Sequence, residues 1–472
     1  MTGAVAGPCD AGVITATRHQ APDPARWTLA ACILGSSLAF IDGSVVNVAL
    51  PTLQRELGGT PEQLSWTINA YLLPLGALIL LGGGAGDHYG RRRLFLAGLA
   101  VFTLASLLCA LAPNYPWLLA GRALQGLGAA LLMPNSLAIL GATFTGEARG
   151  RAIGTWAATG ALAGALGPVL GGWLVDAVGW RMIFLLNLPI AGAAGWLGWR
   201  HVAESRDARG RGPLDWGGAA LATIGLGLLT WALTAVAASD APGAMPALAA
   251  GLGAACLAGF LWWEARHGPD ALMPLEMFGS AAFVGLTLFT FCLYGALGGL
   301  VVALPFLLIR VEDWSAVQAG AALMPLPLLI GLGSRVMGQL TGKFGGRLPL
   351  AGGAAIVAVG FALYARVAPG GIDFWWDILP PTLVIGLGMA ISVAPLTTTV
   401  MASVDADHVG AASGFNSAVA RIAGLVATAL LGFVLAQQAN EATFVAGFRV
   451  AALLGAASAA VASAAALLLI RR

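Results

Sequence analysis

Fourteen apolar runs follow one another along this chain, each close to the 20 or so residues that a helix needs to cross a bilayer. They fall at 27–48, 65–84, 94–113, 117–138, 151–173, 183–200, 217–237, 245–264, 282–308, 316–340, 349–368, 378–402, 411–436 and 446–470. With 58% hydrophobic and 10% charged residues, a chain of 472 residues could not cover a water-soluble surface. The reading is an all-α polytopic membrane protein with 14 transmembrane helices. A net charge of +2, scattered between apolar runs, offers no footing for nucleic acid. Cys9, Cys32, Cys109, Cys256 and Cys292 form no close pair, which argues against a disulfide framework or a metal site. Residues 1–26 lack the apolar core of a cleavable signal and read as a cytoplasmic tail, the first span directing insertion.

Positive charge orients the spans, because Lys and Arg are retained on the cytoplasmic side. With the N-terminus inside, sixteen of the 24 Lys and Arg fall in cytoplasmic segments. Only Arg55, Arg181, Arg310 and Arg366 fall in outer loops. This predicts an even number of spans with both termini cytoplasmic, in a bacterial inner or plasma membrane.

The chain repeats itself. Gly83-x-x-x-Asp87-His88-Tyr89-Gly90-Arg91-Arg92 closes the second span. Gly338-x-x-x-Gly342-Lys343-Phe344-Gly345-Gly346-Arg347 closes the tenth, so that Gly83, Gly90 and Arg92 recur 255 positions on. Gly126-Leu127-Gly128 in the fourth span recurs 260 positions on as Gly386-Leu387-Gly388 in the twelfth. The division that follows is an N-terminal six-helix bundle over 27–200, two additional helices over 217–264 and a C-terminal six-helix bundle over 282–470. Parallel halves of this kind are a known transporter plan.

Asp42 has no other charge around it from Trp27 to Val48. A carboxylate at the centre of a spanning helix costs roughly 2.5–3.5 kcal/mol, so it is retained where it acts. Asp42 is six residues from the outer end of the first span and Arg122 five from that end of the fourth. Both then lie roughly 8–9 Å below it. A facing arginine favours the ionised acid and burial the neutral one, so a small rearrangement shifts protonation. A static buried pair is the competing reading. Around Gly83–Arg93, glycines permit a tight turn between helices. Asp87 can accept bonds from arginine or cap a neighbouring helix, and Arg91 to Arg93 meet lipid phosphate. Gly160, Gly164, Pro168 and Gly172 recur every four residues, which predicts one helix face for close packing or bending. Arg421, near the middle of the thirteenth span with Asn416 on its helix, suits a polar or anionic substrate or backbone carbonyls equally.

These residues resemble the major facilitator superfamily, and within it the fourteen-span drug:proton antiporters, over nearly the whole chain. Gly83–Phe95 is similar to the signature loop between spans two and three. Asp42-Gly43-Ser44-Val45-Val46-Asn47-Val48-Ala49-Leu50-Pro51 resembles the first-span signature of that branch. Arg122-Ala-Leu-Gln125-Gly126-Leu-Gly128 resembles the fourth-span arginine motif. Gly154 through Gly160, Gly164, Gly167-Pro168 and Gly171-Gly172 resembles the fifth-span antiporter motif, with Ala163 in place of one glycine. Trp180-Arg181 and Asn187-Leu-Pro189 are similar to the same branch.

The resemblance implies a cytoplasmic latch using Gly83, Asp87, Gly90 and Arg91. It also implies a hinge at Gly160, Gly164, Gly167, Pro168 and Gly172, and a central cavity lined by helices one and four. Asn47, Gln125, Asn416 and Arg421 are candidate cavity residues. The expected function is proton-coupled export of small amphipathic toxic compounds or antibiotics by rocking of the two halves. The proton gradient serves as the only cofactor, and the protein acts as a monomer. A proton-linked importer or metabolite carrier, and a membrane sensor that does not transport, are the alternatives. No phosphate-binding G-x-x-x-x-G-K-[ST] loop occurs, so ATP is not the expected driver. No nucleophile elbow, H-E-x-x-H or paired intramembrane carboxylate stands out, so an enzyme is not expected.

Overall fold

A computed structural model describes residues 23–206, 214–237, 243–267, 273, 275–333, 345–368, 371–404, 409–436 and 441–470. The second copy of the signature loop, Gly338 to Phe344, lies outside the described residues, as do most of the N-terminal tail, Arg335 and His408. Among the described residues, fourteen helices are long and apolar enough to cross a membrane. In chain order they are Ala25–Leu57, Pro61–Tyr89, Arg91–Ala110, Tyr115–Thr143, Arg151–Ala177, Arg181–His201, Trp216–Val236, Ala244–His267, Ala281–Val311, Ala316–Gly333, Arg347–Tyr364, Phe374–Ala402, Ala412–Leu431 and Glu441–Leu469. They are called spans one to fourteen below.

Local chemistry sets several of their ends. Thr60 and Gln63 exchange bonds in a capping box at the start of span two, and Ser315 and Gln318 do the same for span ten. Asn114 caps span four by accepting from the Trp117 amide. Span one runs further than its apolar run predicts. Its helix passes through Pro51 and carries Gln54, Arg55 and Glu56, because beyond the hydrocarbon water solvates polar side chains. Asp42 is thus deeper from the end of its helix than the sequence suggests.

Spans three and four cross with backbones in contact, where a methyl on Gly98 would sit 2.7 Å from the Gly128 carbonyl oxygen. Spans eleven and twelve repeat the crossing, where a methyl on Gly353 would sit 2.7 Å from the Gly388 carbonyl oxygen. Only residues without side chains allow helices this close. Spans seven and eight pack on each other, and span seven also packs on spans two and thirteen. Leu104, Leu332 and Leu468 project outward, as a surface in lipid requires. Exposed Trp27, Trp199, Trp216 and Trp262 mark one end of the bundle and Trp117, Trp173, Trp375 and Trp376 the other, which is the pattern of two interfacial belts.

Candidate functional site

Asp42 is fully buried, and Arg122, 1% exposed, is bonded to it through Nη1 and Oδ2. The pair expected from depth in the sequence is therefore in contact. Gln125 Nε2 and Asn187 Nδ2 donate to Asp42 Oδ1 at 2.9 and 3.2 Å. Two helices, spans four and six, thus supply three donors to a single carboxylate on span one. Arg122 is itself held at other points. Its Nε donates to the Thr67 carbonyl at 3.0 Å and its Nη1 to Gln125 Oε1 at 2.8 Å. Its guanidinium lies over the Tyr71 ring, 4.5 Å from the centroid, a favourable cation–π distance. The Tyr71 hydroxyl donates to the Ala39 carbonyl.

Ser106 completes the cluster. Its hydroxyl accepts from Gln125 Nε2 at 2.9 Å and from Asn187 Nδ2 at 3.1 Å while donating to the Phe102 carbonyl. Sequence reasoning assigned neither Ser106 nor Asn187 to the site. Asn187 was visible as part of a motif, and a side-chain amide in an apolar helix is a signal in itself, since it needs buried partners. Ser106 carries no such signal, because serine also satisfies itself on its own helix.

At the Tyr89 end of span two, Asp87 accepts from Arg91 Nε at 3.0 Å. Gly90 sits at φ 113°, a conformation that disfavours any side chain. Glu204, beyond span six, accepts from the Arg92 amide at 3.0 Å and so caps span three. Gly83 faces Pro134 of span four. The loop is thus tied into the first half.

The glycines of span five do not form one face. Gly160, Gly164, Gly167 and Gly171 lie against Phe40, Ser44 and Val45 of span one. Gly172 instead meets the Ala316 backbone, and the Pro168 carbonyl meets Gly320, both in span ten. Four residues turn a helix through about 400°, so a stripe repeating every four drifts round the axis. Span five touches the helix of Asp42 with one face and the second half with another. Beside Gly172, Asp176 accepts from the amides of Ala316 at 3.3 Å and Val317 at 3.0 Å, capping span ten from the opposite half.

The four candidate cavity residues are not gathered. Gln125 is part of the Asp42 cluster. Asn47 is buried on span one, with its Oδ1 unpartnered. Asn416 Oδ1 accepts from Thr290 at 2.6 Å. Arg421 is half-buried at the junction with span two, where Gly76 faces it, and its Nη2 lies 3.9 Å from Met133 Sδ.

This fold has known counterparts. Residues 32–428 match the model of the Major Facilitator Superfamily. The chain is 32% identical over 416 residues to the multidrug resistance protein Stp of Mycobacterium tuberculosis, covering 87% of this chain and 75% of that protein. It is 35% identical over 426 residues to the puromycin resistance protein pur8 of Streptomyces alboniger, covering 88% of this chain and 83% of that one. The crystal structure of a D-xylose-proton symporter superposes with a TM-score of 0.69 at 15% identity, over 94% of this chain and 98% of that one. The chain is a multi-pass membrane protein and belongs to the major facilitator superfamily.

Proposed function

We propose that the chain is a proton-coupled exporter of small amphipathic toxic compounds, with Asp42 as the proton carrier. Relatives named for multidrug and puromycin resistance support the export of such compounds. The observation that carries the role of Asp42 is the way its donors are arranged. Each has a second acceptor: Thr67 and Gln125 for Arg122, and Ser106 for Gln125 and Asn187. A protonated Asp42 keeps its carbonyl oxygen as an acceptor, and every donor nitrogen keeps a second partner, which limits the penalty on the neutral state. A merely structural ion pair needs no such reserve.

In the proposed cycle Asp42 takes a proton from outside and releases it to the cytoplasm as substrate leaves. Arg122 responds to each change of charge. Both termini and the Asp87–Arg91 loop face the cytoplasm, and Asp176 lies at the outer face. The two halves rock about the centre as a monomer, driven by the proton gradient, with no bound cofactor, no ATP and no enzymatic step. The test is growth of cells overproducing the chain on a panel of toxic compounds, with and without an uncoupler. Uncoupler-sensitive tolerance is expected; tolerance that survives the uncoupler, or none to any compound, contradicts the proposal.

A further inference from the structure

Spans seven and eight contribute nothing to the Asp42 cluster, yet their common end holds two buried acids. Asp215, 8% exposed, directly precedes span seven, and Glu264, 1% exposed, lies in the last turn of span eight. Asp215 Oδ1 accepts from the Gly218 amide at 2.8 Å and from Trp263 Nε1 at 2.7 Å. Glu264 Oε2 accepts from the Met273 amide at 2.7 Å. Asp215 Oδ2 and Glu264 Oε1 are buried with no partner. Both crowd the same point: a methyl on Gly218 would touch Asp215 Oδ2 and lie 2.7 Å from Glu264 Oε1.

Two carboxylates in one buried site resist ionising together, since like charges in contact oppose each other. Among the described residues neither acid forms an ion pair. His267, one turn on, stacks on Trp263 at 4.4 Å and is bonded to the Trp263 carbonyl. Arg266 lies over Trp262, and Asp87 of span two is engaged with Arg91. Arg421 of span thirteen lies some way off, beside Gly76 and Met133. Among the described residues the charge of His267 reaches Glu264 but forms no ion pair with it, so none replaces the missing proton. A single hydrogen between the acids would give each open oxygen a partner.

We propose that Asp215 and Glu264 share one proton, forming a carboxyl–carboxylate clasp that fastens the span seven–eight hairpin to the segment leading into the second half. This proton site is separate from Asp42. The clasp is closed while the proton is held. Raising the pH removes it, sets two negative charges against each other and changes the acceptor that holds the Met273 amide.

Infrared difference spectroscopy of the full chain in liposomes tests this, with pH as the only variable. The wild type should show a protonated-carboxyl band that disappears as the pH is raised. That band should be lost in both Asp215→Asn and Glu264→Gln, because an amide then supplies the bridging hydrogen, and kept in Asp42→Asn. Hydrogen exchange at Met273, corrected for its intrinsic pH dependence, gives a second reading. Protection should change with pH in the wild type and stay constant in Glu264→Gln. A band untouched by both substitutions, or no pH-dependent carboxyl signal, overturns the proposal. So does a carboxylate signal that answers to sodium or potassium instead of to pH.

Discussion

The two halves build the same helix crossing and fill it with different chemistry. In the first half the Gly98–Gly128 contact lies beside Arg122 and Gln125. In the second, the Gly353–Gly388 contact lies beside Thr382 and Ile385, which stand 260 positions on. Thr382 donates to the Ile378 carbonyl and is paired with the Tyr364 hydroxyl at 2.5 Å, a neutral and self-contained arrangement. The scaffold is duplicated, whereas the titratable centre is not. On the proposed mechanism, a change of charge at Asp42 is carried to a half in which the described residues hold no counterpart to it. Span five is placed to do so, with one face on the helix of Asp42 and the other on span ten.

The largest expected effect follows from breaking that asymmetry at its source. Asp42→Ala strands Arg122 in the interior at a cost of about 3–5 kcal/mol and should sharply reduce the yield of folded protein, seen as monodisperse protein in detergent. Replacing Gly172 by Val comes next, since its side chain would be driven into the Ala316 backbone. Transport should fall at least tenfold, and a cysteine placed near Ser315 should react faster with an external thiol reagent. Unchanged transport and labelling would remove span five from the relay. Gln125→Leu against Thr382→Val compares the halves directly. The first should cost about 1–3 kcal/mol of stability and weaken coupling, while the second costs about 1 kcal/mol and leaves coupling intact. Equal loss of coupling in both would mean that the halves are chemically equivalent. The smallest effect on transport is expected of Asp176→Asn, which keeps one of the two cap acceptors and loses the other with the charge, at about 1 kcal/mol. Transport should change by less than tenfold.

The spans and the meeting of Asp42 with Arg122 were legible because each rests on a local property, apolar length in one case and depth along a helix in the other. What escaped depends on contacts between distant segments. Asp215 and Glu264 lie 49 positions apart, and only the hairpin brings them together. Asp176 did carry a signal. It lies in the last turn of span five, where the helix dipole disfavours an acid, so it required a donor from elsewhere, and span ten supplies one. A spacing of four nearly matches the helical repeat, so the sequence suggests one stripe of span-five glycines, and the small mismatch accumulates over three turns.

Counterflow and uphill transport in the same proteoliposomes address the central claim most directly. Asp42→Asn should exchange labelled for unlabelled substrate close to the wild-type rate, because the binding and rocking steps remain. It should fail to accumulate substrate against its gradient when a pH difference is imposed. Accumulation at the wild-type level would contradict the account.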